Sequence, residues 1–295
     1  MKNFEYKKLS TLDEALSLLG QSQDVVMILA GGTDLLVKIR NRVWHPEILI
    51  DIKGIPGLDE IRYDAVEGLY LGPLTSIHRL ETSPIIREKF PAIFEAASSL
   101  GSFQVRCRAT LGGNLCSASP AGDMAPSLIS LRAKAKIVGS GQERWVPLED
   151  FFTAPNKTLL KRDELLAAVQ VPNLPPGIGS KYIKFAFRKA MDLAIVGVAV
   201  ALSLDSKREQ CEEIRIALGA VGPTPLRAKK AETRLRGQRM DEAAIVEASL
   251  LASEEVTPIS DIRASGEYRR EMVRVLTQKA LNQLLCAGFD TRETV

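Results

Sequence analysis

The run Val25-Val26-Met27-Ile28-Leu29 ends at Ala30-Gly31-Gly32, and apolar residues resume as Leu35-Leu36-Val37-Lys38-Ile39. A continuous apolar stretch of strand length, a glycine break and then a stretch compatible with helix describe a buried strand that turns into a helix. Such a chain must build sheets and cover them with helices. Neighbouring segments fit that demand. Thr11-Leu12-Asp13-Glu14 has the spacing of a capping box, and Leu12, Ala15, Leu16 and Leu19 then recur at helical spacing. Residues 48–52 and 69–71 read as strands, 86–100 as a helix and 165–171 as another strand.

The stretch Pro172-Asn173-Leu174-Pro175-Pro176-Gly177-Ile178-Gly179 is dense in residues that break regular structure, and a domain boundary is expected there, separating 1–174 from 175–295. Beyond it, strands are expected at 182–187, 195–204 and 214–218, and helices near 241–253 and 267–286. Both parts are α+β, and a chain of 295 residues that is 45% hydrophobic is long enough for two such cores.

Charge excludes one partner class. Lys and Arg number 39 against 36 Asp and Glu and are scattered, so no nucleic-acid surface is expected. The opening residues lack the apolar run of a secretory signal and residues 194–204 are too short to span a bilayer, so a cytoplasmic protein without a membrane span is expected. Cys107, Cys116, Cys211 and Cys286 form no CxxC pair and read as buried structural thiols, and His45 and His78 are too isolated to suggest a metal centre.

Two segments carry chemistry. In Ile28-Leu29-Ala30-Gly31-Gly32-Thr33-Asp34-Leu35, small residues let backbone N–H groups approach an anion, and Thr33 can add a hydroxyl donor. A plain strand-to-helix turn, capped by Thr33 or Asp34, would look the same. The second segment, Thr110-Leu111-Gly112-Gly113-Asn114, again joins glycines to polar side chains. Asp123 follows it, an acceptor better suited to sugar or ribityl hydroxyls than to phosphate. Neither matches GxGxxG or the P-loop pattern. Two glycine turns so far apart point to a ligand with an extended pyrophosphate held from two sides.

Together with Phe151-Phe152-Thr153, Glu164-Leu165-Leu166, Tyr182-Ile183-Lys184-Phe185 and Arg188-Lys189-Ala190-Met191-Asp192, these motifs resemble the FAD-binding subunits of the xanthine dehydrogenase and carbon monoxide dehydrogenase family of molybdenum hydroxylases, over essentially the whole chain. The resemblance implies a two-subdomain FAD-binding domain of the vanillyl-alcohol-oxidase type, followed by a smaller α+β domain that closes over the flavin. It implies that residues 28–35 and 110–114 wrap the pyrophosphate, that Asp123 contacts the ribityl or ribose part, and that Leu166 and Lys184 lie near the isoalloxazine. Taken alone, Leu166 reads as a buried strand residue and Lys184 as a solvated strand lysine. Two positions depart from the pattern: Cys107 stands where relatives commonly have asparagine, and the aromatic that some relatives place over the flavin aligns with Leu100, with Phe103 nearby.

The implied role is electron relay, with no catalytic acid, base or nucleophile on this chain. FAD would pass electrons from 2Fe-2S clusters on a small partner subunit to an external acceptor, while molybdopterin sits on a large partner subunit, the whole forming a dimer of heterotrimers. Thr33-Asp34 is closer to the xanthine dehydrogenase side of the family, which points to an N-heterocycle or aldehyde as substrate of the complex. Two other readings remain open, a self-sufficient flavin oxidase or reductase and a non-catalytic nucleotide-binding protein.

Overall fold

A computed structural model describes residues 3–175 and 177–286. Met1, Lys2 and Pro176 of the breaker-rich stretch lie outside the described residues, as do residues 287–295 of the expected second domain. The chain opens with three parallel strands in the order Glu5–Lys8, Ile48–Asp51, Val26–Leu29. Helix Leu12–Gln21 crosses between the first two in sequence, and its capping box is formed, Thr11 accepting from the Glu14 N–H while the Glu14 carboxylate accepts from the Thr11 N–H.

A five-stranded antiparallel sheet follows, ordered Ile61–Asp64, Gly68–Leu71, Leu165–Val171, Lys134–Gly139, Gln142–Pro147. Its two faces serve different layers. Val138, Leu165 and Ala167 pack with Ala15, Leu19, Ile48 and Ile50 of the first sheet and its helix. Leu71, Ile137, Leu166 and Val169 face the other way, onto helices drawn from residues 77–130. The single helix expected over 86–100 is two, Pro84–Lys89 and Pro91–Ser99, because Pro91 cannot donate to the preceding turn and instead starts the second.

The last sheet has four antiparallel strands, Gly179–Phe185, Val196–Leu204, Cys211–Gly219 and Leu226–Arg227. Its first strand begins earlier than 182, inside the breaker-rich stretch. Alternation along Val196–Leu204 divides the core: Val198, Val200 and Leu202 join the core under helix Gly266–Cys286, on which helix Glu242–Glu254 packs, whereas Ala199 and Ala201 join the core of the first part. Small residues on that second face permit close docking. A Cβ on Gly219 would come within 2.7 Å of Pro126, on the wholly buried helix Met124–Ser130. Ion pairs surround this junction, with Glu149 bound by Arg215 at 3.4 Å and Arg227 at 3.2 Å, and Arg132 bound to Glu213. No helix among the described residues is long and apolar enough to cross a membrane. The thiols do not all fit the expectation of burial: Cys211 is buried, but Cys107, Cys116 and Cys286 are exposed.

Candidate functional site

Gly31 sets the geometry of the site. A Cβ there would collide with the Arg108 carbonyl, and Ala109 Cα would lie 3.0 Å away, so the first glycine turn presses directly on the chain leading into the second motif. Gly32 has φ +77°, a backbone state in which L side chains are strained. The turn leads into helix Leu35–Arg40, whose N-cap Asp34 makes no capping bond and instead accepts from Ser117 Oγ at 3.0 Å. That bond joins the two motifs a second time. The N–H groups of Gly31, Gly32, Thr33 and Asp34 find no acceptor among the described residues. Four consecutive unclaimed donors at a glycine turn form the kind of nest that receives an anion.

The second motif differs from its expected form. Gly112 and Gly113 lie inside helix Leu111–Ser117, which Thr110 caps through a bond from the Gly113 N–H at 3.1 Å. Leu111 N–H donates to Thr75, Gly112 N–H to Pro73 and Asn114 N–H to Thr110, so these backbone donors are already satisfied within the chain. The glycines are needed for packing: a Cβ on Gly112 would approach Pro73 to 2.6 Å, and one on Gly113 would approach Thr110 Oγ1 to 2.9 Å. What this motif offers a ligand is the Asn114 side chain, whose buried Oδ1 has no hydrogen-bond partner. A buried amide oxygen is costly to leave unpaired, which marks it as awaiting a donor.

A cavity of about 580 Å³ brings most of the expected residues together. It is lined by Ile28, Ala30, Gly31, Gly32, Thr33, Asp34, Leu35, Thr110, Gly113, Asn114 and Asp123. Others are elsewhere. Leu29 and Cys107 line a second cavity of about 610 Å³ that shares Gly31, Gly32, Thr33 and Thr110 with the first. Leu111 and Gly112 are buried behind the helix they belong to. Leu166 is a core residue between sheet and helices, on the face of its strand turned from the first subdomain, and does not line the cavity.

Lys184 also does not line the cavity, yet it is no solvated lysine. Its side chain is 9% exposed and its ammonium donates to Asp123 Oδ2 at 2.9 Å and to the Ser99 carbonyl at 3.2 Å. Tyr182 donates its hydroxyl to the other Asp123 oxygen at 3.0 Å. Strand Gly179–Phe185 is held in place for this by Glu95, which accepts from Lys181 Nζ at 2.6 Å and from the Tyr182 N–H at 2.7 Å. Burial pushes the Asp123 carboxyl above its ordinary range, and the charge and hydrogen bond of Lys184 oppose that rise. Burial, and then the neighbouring carboxylate, raise the Tyr182 phenol well above 10. Asp123 is thus a shared acceptor at the cavity wall.

Several lining residues escaped sequence reasoning. Trp44 and Met27 come from the first subdomain, and Met191, Asp192 and Leu193 from the loop after strand Gly179–Phe185, where the Met191 N–H donates to the Gly101 carbonyl at 3.1 Å. The motif around Asp192 hinted at that loop, but nothing local tied it to Gly101. Leu100 does line the cavity, whereas Phe103 is exposed and packs edge-on against His78 at 5.0 Å.

Comparison with known proteins gives the geometry a context. A family model described as the FAD binding domain in molybdopterin dehydrogenase matches residues 2–174, and one described as the CO dehydrogenase flavoprotein C-terminal domain matches residues 181–284. The glyceraldehyde dehydrogenase medium chain of Sulfolobus acidocaldarius is 33% identical over 281 residues, 95% of this chain and 98% of that protein. The putative xanthine dehydrogenase FAD-binding subunit of Escherichia coli is 31% identical over 284 residues, covering 96% of each. Among solved structures, a chain of the carbon monoxide dehydrogenase from Hydrogenophaga pseudoflava superposes with a TM-score of 0.92 at 33% identity, over 97% of this chain and 98% of that one.

Proposed function

From the premise that this chain belongs to the family of FAD-binding subunits of the molybdenum hydroxylases, we propose that it holds FAD in the 580 Å³ cavity and carries electrons between a partner's 2Fe-2S clusters and an external acceptor. The observation that carries this reading is the coincidence, in one cavity, of four unclaimed N–H groups at residues 31–34 and the orphaned Asn114 Oδ1. These are the donors a pyrophosphate needs and an acceptor for a ligand N–H or O–H. Residues 30–35 would hold the pyrophosphate, Asp123 the ribityl or ribose hydroxyls, and Lys184 would act on the isoalloxazine through the pair it makes with Asp123.

Bound FAD supplies the redox couple, and the chain supplies its placement and its electrostatic surroundings. Leu100, Gly101 and residues 191–193 shield one part of the cavity, and the Gly101 to Met191 bond ties the two domains together there. We assign residues 1–174 to a two-subdomain FAD domain of the vanillyl-alcohol-oxidase type and 175–295 to the domain that closes it. Partners follow from the division of labour: a small 2Fe-2S subunit and a large molybdopterin subunit, in a dimer of heterotrimers acting on an N-heterocycle or aldehyde. The test is to purify the chain by itself and within its native complex. Flavin absorbance in both, with turnover of purine or aldehyde only in the complex, is expected. Turnover by the lone chain, or a lone chain that neither retains nor binds FAD, would overturn the assignment.

A further inference from the structure

We propose that Trp44 is the stacking platform for the adenine ring of FAD, an inference that rests on the FAD reading and adds the residue that recognises the nucleotide half. The cavity wall divides by origin. Asp123, Leu100, Gly101 and residues 191–193 belong to the second subdomain and the closing domain, together with the buried pair Asp123 and Lys184. Trp44, Met27, Ile28 and Leu35 belong to the three-stranded subdomain, and the unclaimed N–H groups of residues 31–34 follow Ile28 along its chain. A pyrophosphate on residues 31–34, with its flavin arm toward Asp123, leaves its adenosine arm to the wall that holds Trp44.

That wall has the chemistry an adenine needs. Trp44 is half-buried, packed against the small core of Leu29, Ile39 and Leu49, and still lines the cavity. Met27, Ile28 and Leu35 beside it are apolar, and the wall there carries no carboxylate except Asp34, which is engaged by Ser117. Lys38 places its ammonium 4.0 Å from the Trp44 ring centroid, a cation–π contact that orients the indole and holds it in place. An indole held by a cation and a core at the wall of a cavity is a preorganised site for a flat base.

The test uses the full chain freed of its flavin. Trp44→Leu keeps an apolar side chain but removes the ring, and Trp44→Phe keeps a ring. Leucine should weaken FAD binding by about tenfold to a hundredfold, phenylalanine by about threefold or less, and neither should change the affinity for FMN, which lacks the adenosine. A second readout does not depend on flavin. The chain has two tryptophans, and Trp145 stands exposed on an edge strand, so Trp145→Phe leaves Trp44 as the single tryptophan, read by excitation to the red of tyrosine absorption. ADP should then quench its emission saturably. Equal FAD affinity in Trp44→Leu and parent, or equal losses of FAD and FMN affinity, or ADP without effect on Trp44 emission, would each overturn the proposal while leaving FAD binding itself standing. Failure of the parent to bind FAD would instead remove the reading beneath it.

Discussion

Replacing Lys184 by methionine and Asp123 by asparagine, singly and together, probes how the chain sets the charge felt by a bound flavin. At 2.9 Å and an effective dielectric near 20, the attraction between the two side chains is about 6 kcal/mol. Taking both ions out of water costs several kcal/mol each, so the intact pair is close to neutral for stability, whereas losing one partner exposes a buried charge at about 3–5 kcal/mol. The pair also sums to no net charge, which makes its field in the cavity that of a dipole. Lys184→Met should therefore lower the flavin midpoint potential and Asp123→Asn should raise it, because each leaves a single charge behind. For one charge about 4 Å from the site of reduction the upper scale is about 4 kcal/mol, or roughly 85 mV for a two-electron couple, and solvent will reduce it to a few tens of millivolts. The double variant should return toward the parent in both potential and stability. Spectroelectrochemical titration and thermal unfolding of the four proteins decide the matter. Single variants that shift the midpoint in the same direction, or a double variant whose effects simply add, would refute the reasoning.

Two further outcomes follow from packing and from linkage. Gly31→Ala should cost about 1–3 kcal/mol and abolish FAD binding with it, since the methyl group forces the first turn off Arg108, while Gly20→Ala, whose nearest neighbour would be 3.9 Å away, should leave both unchanged or slightly improve stability; equal thermal midpoints for the two variants would contradict this. Glu164, buried and gripped by Arg144 at 2.5 and 2.9 Å, has its carboxyl held below the ordinary 4.5, first by that hydrogen bond, so its contribution is fully present above about pH 4.5 and is lost as pH falls through the lower folded value. Arg144 is 37% exposed, so Arg144→Gln should remove only about 1 kcal/mol at pH 7 and flatten the acid limb, and an acid unfolding profile parallel to the parent's would show that the pair is not responsible.

The parts of the site that were legible in the sequence are those the backbone decides within a few residues. Gly31 and Gly32 announce a break because a Cβ fails there for local reasons, positive φ in one and the chain pressed against it in the other. Thr110-Leu111-Gly112-Gly113 carries the same signature but lies in the first turn of a helix, where Gly113 makes room for its own cap Thr110 and Gly112 for Pro73, which no local window contains. Leu166 was legible as a buried strand residue, but the layer it meets depends on how its strand sits between Gly68–Leu71 and Lys134–Gly139. Lys184 shows the limit most sharply. A lone lysine on a strand is read as solvated because burying an unpaired ammonium is too unfavourable, and that argument is sound for the residue taken singly. It fails here because Asp123, 61 positions away, removes its premise. The same holds in reverse, since without Lys184 the buried Asp123 carboxylate would keep only the Tyr182 hydroxyl to answer its charge. Charge pairs of this kind are properties of the fold rather than of either sequence position, so a site whose electronics depend on one can be located by its glycines but characterised only once the two domains are brought together.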